Sequence, residues 1–147
     1  MYSYVLLLHV LAATVWTGGH LVLALAVLPR ALAARNPAIL LEFESGYERA
    51  GMPALLIQAA SGLWMAHTML PDVAAWFSFA TPQAKLIALK LALLATTVLL
   101  ALDARLRIIP RLSAETLPVM ARRIALVTLV SVLFVVVGVS FRGGLLV

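Results

Sequence analysis

The chain has 147 residues, of which 64% are apolar and 12% charged, and its mean hydropathy is +1.08. Soluble domains are about half apolar, so this composition excludes one and predicts an integral membrane protein with a single domain. The net charge of +5 is concentrated in two short loops, which argues against nucleic-acid binding. Because the sequence has no cysteine, disulfides, thiolate metal sites and iron–sulfur clusters are excluded.

The first uncharged stretch runs from Met1 to Pro29 and exceeds the roughly 20 apolar residues that cross a bilayer. It contains His9, Trp16 and His20. On a helix, residues at these spacings lie on one stripe, with the two histidines within roughly 20° of each other. Ionisable side chains inside a membrane helix are costly and mark functional sites by default. We therefore expect this stripe to face the interior of a helix bundle.

Three further apolar runs follow, and the sequence predicts an all-α, integral membrane four-helix bundle that forms one domain over residues 1–147. The predicted spans are at about 2–29, 52–71, 85–103 and 123–141. The loops at 30–50 and 103–123 together carry eight arginines, whereas the loop at 71–84 carries no lysine or arginine. Cationic loops stay in the cytoplasm, so both termini are predicted to lie outside. Four short helices enclose little volume, and a homo-oligomer is therefore also considered.

This orientation places His9 and His67 in the outer leaflet on adjacent antiparallel helices, where they could share a ligand. His20 lies roughly 16 Å deeper than His9 at 1.5 Å per residue. Neutral imidazole suits both copper and haem iron. The alternative is that each histidine only forms a hydrogen bond to a neighbouring helix.

Two methionines flank His67 in the segment WMAHTML. Thioether and imidazole ligands together suit Cu(I). The three side chains do not point at one ion on an undistorted helix, so at least one methionine is expected to be apolar filler. The predicted metal ligands are His9, His20, His67, Met65 and Met69.

Lys90 lies within the third span and could pair with a haem propionate, an anionic substrate or lipid phosphate. The sequence has no Ser/His/Asp order, glycine-rich phosphate loop or paired intramembrane carboxylates. Hydrolysis is therefore not expected, and an enzymatic activity, if there is one, would be that of a haem-dependent membrane oxidoreductase.

Four segments resemble the CopD family, bacterial inner-membrane proteins associated with copper resistance and copper movement. The segments are LLHVLAATVWTGG, ASGLWMA, LKLALLATTVLLALDARLRIIPRL and ARRIALVTLVSVLFVVVGVSFRGG. The resemblance covers nearly the whole chain. It implies a copper-handling protein of the bacterial inner membrane, with membrane lipid, copper ion and a periplasmic copper-binding protein as its partners.

The histidine and W-x-G pattern of span one also resembles HemJ, a family of four-span, haem-associated protoporphyrinogen oxidases. In that comparison His9 and Lys90 match the family's histidine and lysine, but a histidine expected near the end of the third span is missing from LLALDARL. This resemblance implies the alternative function, a redox protein that binds haem b. Its axial ligands would be His9 and His67, with Lys90 contacting the cofactor.

Overall fold

The computed structural model describes residues 1–146 as four long helices joined by short connections. The helices are α1 (Tyr2–Ala34), α2 (Ala38–Met69), α3 (Pro82–Arg111) and α4 (Leu117–Gly143). One short 3-10 turn, Ala74–Phe77, lies between α2 and α3. Residues 1–146 contain no strand. The all-α membrane fold predicted from the sequence is confirmed.

Three of these helices, α1, α3 and α4, are long and apolar enough to cross a membrane. The fourth, α2, is 32 residues long and joins the charged surface segment around Glu44 to the predicted span 52–71 in one continuous helix. A membrane crossing by its second half stays a prediction. The cytoplasmic and outer ends named below follow the orientation predicted from the loop charges.

Of the prolines inside helices near the cytoplasmic end, two follow a widened turn, whereas Pro53 lies in regular α-helix. The π turn Leu23–Val27 precedes Pro29, and the π turn Ala104–Ile108 comes shortly before Pro110. Proline has no N–H and its ring clashes with the carbonyl four residues earlier. A wider turn makes room for that ring. As a result α1 and α3 continue past the ends predicted for spans one and three, to Ala34 and Arg111.

Local sequence also sets where the helices begin and end. Arg35 takes a left-handed conformation, with a φ of 49°, and stops α1. The Thr81 side chain accepts a hydrogen bond of 3.1 Å from the N–H of Ala84, and Pro82 occupies the first turn of α3. Both features are preferred at a helix start. They set the beginning of α3, after the outer connection from α2.

The helices pack in the spatial order α2–α1–α4–α3. The α3/α4 pair is built on leucines seven residues apart, Leu86, Leu93 and Leu100, which pack with Val130 and Val137. A seven-residue repeat keeps one face of a helix against its partner. The two ends of the row, α2 and α3, are joined near the cytoplasmic end by an ion pair between Glu48 and Arg105. In this packing order α1 lies between α2 and α4.

Candidate functional site

His9 is buried where α1 packs on α2, with 9% of its surface exposed. Its Nδ1 lies 2.8 Å from the hydroxyl oxygen of Ser61. The ring also packs on Gly62, where an added Cβ would come within 3.1 Å of the His9 Cε1. Glycine at this position gives the imidazole its space, and Ser61 holds its orientation.

The hydrogen bonds around Ser61 favour the tautomer of His9 in which Nδ1 carries the proton. The Ser61 hydroxyl donates to the carbonyl of Ile57, one turn earlier on its own helix. A hydroxyl has one proton to donate, so toward His9 it accepts, and Nδ1 is the protonated nitrogen. The Nε2 of His9 then keeps its lone pair, which is the form of imidazole that binds metals.

His20 is buried about three helical turns further along α1, with 8% of its surface exposed. Its Nδ1 lies 2.8 Å from the backbone carbonyl of Trp16. A carbonyl only accepts, so Nδ1 is protonated and Nε2 carries the lone pair here too. Aromatic rings hold the imidazole in place: the Trp16 ring centre is 4.4 Å away, and Tyr47 approaches edge-on at 5.7 Å.

The sequence does not predict Tyr47 as a site residue, because it falls in the predicted loop at 30–50. Its hydroxyl donates to the carbonyl of Trp16, at 3.0 Å, and its ring lies over Gly19 and Gly51. A side chain at either glycine would collide with the tyrosine ring. Gly19 and Gly51 leave room for this ring on two neighbouring helices. These glycines are the feature of the sequence that could have indicated that Tyr47 lies beside His20.

Hydrogen bonds between α1 and α4 set which residues lie at the same depth. Thr17 donates to the carbonyl of Ser131 at 3.3 Å. The Thr128 hydroxyl donates to the carbonyl of Ile124 on its own helix at 2.7 Å and lies 3.2 Å from the carbonyl of His20. The two helices are antiparallel, so two turns from Ser131 to Gly138 on α4 correspond to about two turns from Thr17 back to His9 on α1. Gly138 and His9 therefore lie at about the same depth. The outer part of α4 therefore lies beside the outer histidine.

Lys90 reaches the same level from α3. Its Nζ is 5.6 Å from the ring centre of Phe141, and a Cβ added at Gly138 would lie 3.4 Å from it. The outer site is defined as His9, Ser61 and Gly62, and the inner site as His20, Trp16 and Tyr47. Lys90 and Gly138 share the depth of the outer site.

Between the two sites lie two buried polar atoms that have no hydrogen-bond partner within residues 1–146. They are the side-chain oxygen of Gln58 and the indole N–H of Trp16. Buried polar atoms are nearly always paired, by protein or by water. Between His9 and His20 there are thus one buried hydrogen-bond acceptor, on Gln58, and one buried donor, on Trp16, that are unused within the described residues.

The structure separates the predicted ligands on α2. Met65 is 9% exposed and lies one turn from Ser61 on the buried face, whereas Met69 is 40% exposed. His67 is also exposed, on another face of α2. The structure does not bring His67 to His9, and the shared site of these two histidines stays a prediction. Across residues 1–146, no three His, Asp or Glu side chains cluster to hold a metal.

Charged side chains gather at the cytoplasmic end, away from both sites. Asp103 pairs with Arg123 at 2.9 Å, which ties α3 to α4. Burial and the nearby Glu48 raise the pKa of Glu44 above its ordinary value, against the lowering effect of Arg105. This end of the molecule anchors the helices to one another.

The family model described as Copper resistance protein D (CopD) matches residues 41–141, about two thirds of the chain. The chain belongs to the CopD family. Among curated proteins and among solved structures, nothing matches it. This CopD protein is accordingly a multi-pass membrane protein related to copper resistance. The matched residues include Met65, His67 and Lys90, while His9 and His20 lie before them.

Proposed function

We propose that this CopD protein binds copper inside the inner membrane of a bacterium and passes it between two histidine sites. The observation that carries the proposal is that each buried histidine has its Nδ1 2.8 Å from an oxygen, the Ser61 hydroxyl for His9 and the Trp16 carbonyl for His20. With the proton on Nδ1, Nε2 is the nitrogen that can bind a metal. A second hydrogen-bonded nitrogen that fixes the tautomer and the ring orientation is typical of histidines that bind metals. Copper is the cargo in this account.

At the outer site, His9 supplies an imidazole nitrogen and Met65 supplies a thioether from the next turn of α2. Met65 is the methionine on the buried face, one turn outward of Ser61, which binds His9. Nitrogen and thioether ligands together favour Cu(I). Met69 and His67 are exposed and could receive copper from a periplasmic copper-binding protein at the outer surface.

At the inner site, His20 supplies the ligand and the rings of Trp16 and Tyr47 exclude water. About 16 Å separates the two histidines along α1, so one ion does not bind to both. Gln58 and Trp16 lie along the interface between them. A carrier must also release its ion, and sites with few protein ligands meet this requirement.

The haem b alternative stays a prediction that no specific observation favours. Axial ligation by His9 and His67 needs both rings to face one cofactor. His9 is buried against Ser61, whereas His67 is exposed on a different face of α2.

The test is a Cu(I) titration of the purified protein in lipid nanodiscs, with a colorimetric chelator as competitor. His9→Ala and His20→Ala are each expected to lose one binding event, and the double variant to lose both. Ser140→Ala serves as the matched control, because Ser140 is buried on α4 and its hydroxyl bonds only the carbonyl of Val136 on its own helix. Unchanged copper binding in the double variant would overturn the proposal.

A further inference from the structure

A groove at the cytoplasmic end lies between the last part of α1 and the first part of α2. Val27 and Arg30 line it from α1, three residues apart and therefore on one face of that helix. Ile39, Glu42 and Phe43 line it from α2, and their spacing also places them on one face. The groove has a volume of about 360 Å³, which is within the range of pockets that hold small ligands.

The two charged residues of this groove have opposite signs but do not pair with each other. Across residues 1–146, neither Arg30 nor Glu42 takes part in an ion pair, whereas the acidic residues Glu48 and Asp103 at the same end both do. A guanidinium and a carboxylate that line one groove without contact leave both of their charges available. They suit a ligand that carries a negative and a positive group a short distance apart.

The groove lies at the level of the lipid headgroups. Arg30 is the first charged residue after the uncharged stretch Met1–Pro29, which is long enough to cross the bilayer core. Val27, inside that stretch, continues the groove toward the core as an apolar surface. On the other wall the ring of Phe43 is held in place by Tyr47, which stacks on it with 5.8 Å between the ring centres. Apolar surface next to opposite charges is what a phospholipid matches with its acyl chain and headgroup.

We propose that the groove binds phosphatidylethanolamine, a phospholipid whose headgroup carries a phosphate and a primary ammonium. The Arg30 guanidinium donates to the phosphate oxygens, and the Glu42 carboxylate accepts from the N–H groups of the ammonium. The start of an acyl chain packs on Val27, Ile39 and Phe43. Hydrogen bonds between charged groups are the stronger kind, and a guanidinium matches the geometry of a phosphate. This inference does not depend on the copper function, because neither buried histidine takes part in it.

The headgroup chemistry distinguishes this lipid from two others. Phosphatidylcholine carries the same charges, but its trimethylammonium has no N–H to donate to Glu42. Phosphatidylglycerol has no cation, and its negative charge is repelled by the Glu42 carboxylate. If the arginines of this end attracted lipid by charge alone, the anionic phosphatidylglycerol would be preferred. The two explanations therefore predict opposite lipid preferences.

The experiment measures lipid binding to the delipidated protein in detergent, by native mass spectrometry and by the rise in unfolding temperature that each lipid causes. The three lipids carry identical acyl chains. The variants are Arg30→Met and Glu42→Ala, with Arg30→Lys to keep the charge. Arg111→Met and Glu115→Ala are the matched controls, because they remove exposed charges of the same end that do not line the groove.

The wild type is expected to bind phosphatidylethanolamine about three- to tenfold more tightly than either other lipid, the effect of one hydrogen bond. Glu42→Ala should lose this preference, because the acceptor for the ammonium is gone. Arg30→Met should bind all three lipids more weakly, and Arg30→Lys should recover part of the binding. Both control variants should keep the wild-type preference.

Two results would overturn this inference. One is tighter binding of phosphatidylglycerol than of phosphatidylethanolamine by the wild type, which would mean that the arginines attract anionic lipid by charge alone. The other is a preference for phosphatidylethanolamine that is the same in Glu42→Ala as in the wild type, which would place the recognised headgroup outside this groove.

Discussion

Replacing Ser61 with alanine tests how the outer histidine is held. The change removes the hydroxyl oxygen that lies 2.8 Å from the Nδ1 of the buried His9. Hydrogen bonds inside membrane proteins average about 0.6 kcal/mol and reach about 1.7 kcal/mol. The stability loss should fall in that range. Copper affinity should fall further, by about 10- to 100-fold, because the partner of a metal-binding histidine sets its tautomer and orientation.

The assay is the Cu(I) competition titration, with thermal unfolding of the same samples. Ser140→Ala is the matched control: Ser140 is also buried, but its hydroxyl bonds only the carbonyl of Val136 on its own helix, at 2.8 Å. The control should unfold at a similar temperature and keep wild-type copper affinity. If Ser61→Ala binds copper as tightly as Ser140→Ala, the inference that Ser61 prepares His9 for a metal is refuted.

Three further predictions concern packing and charge. Gly19→Ala should destabilise the protein by about 1–3 kcal/mol, because its methyl group would collide with the Tyr47 ring. Gly18→Ala, where nothing lies within 4 Å, should not, and thermal unfolding distinguishes the two. The folded protein binds the Glu44 proton more tightly than the unfolded chain, since the pKa is raised from 4.5. Stability should therefore fall as the pH rises above 4.5, and Glu44→Gln should remove that fall in unfolding curves measured as a function of pH. Asp103→Asn removes the 2.9 Å ion pair to α4 and should cost about 0.2–1 kcal/mol at low salt and less at high salt.

Most of the fold could be predicted because apolar runs and loop charges report on membrane spans directly. Helix ends were predicted less well. Pro29 marked the end of the first span in the sequence, yet α1 continues to Ala34, because the π turn Leu23–Val27 accommodates the proline ring. A π turn has no characteristic amino-acid composition, so it is not recognised in a sequence. Only the packing around it determines whether a proline ends the helix.

The site was predicted in part. The stripe of His9, Trp16 and His20 is buried as a whole, as the helical spacing predicts. The loops give depth but not the rotation of one helix against another, and rotation decides which side chains meet. On α2, Ser61 faces His9, whereas His67 comes six residues later, about 9 Å further along and on another face.

The most direct test of the copper function is a metal analysis of the detergent-purified protein, taken together with its absorption spectrum after both copper and haem have been offered. The account predicts copper in a stoichiometric amount, lost in the His9→Ala/His20→Ala double variant, and no Soret band. A Soret band with sharp reduced α and β bands would contradict it in favour of haem. Neither metal nor haem would mean that both histidines serve only to pack the helices.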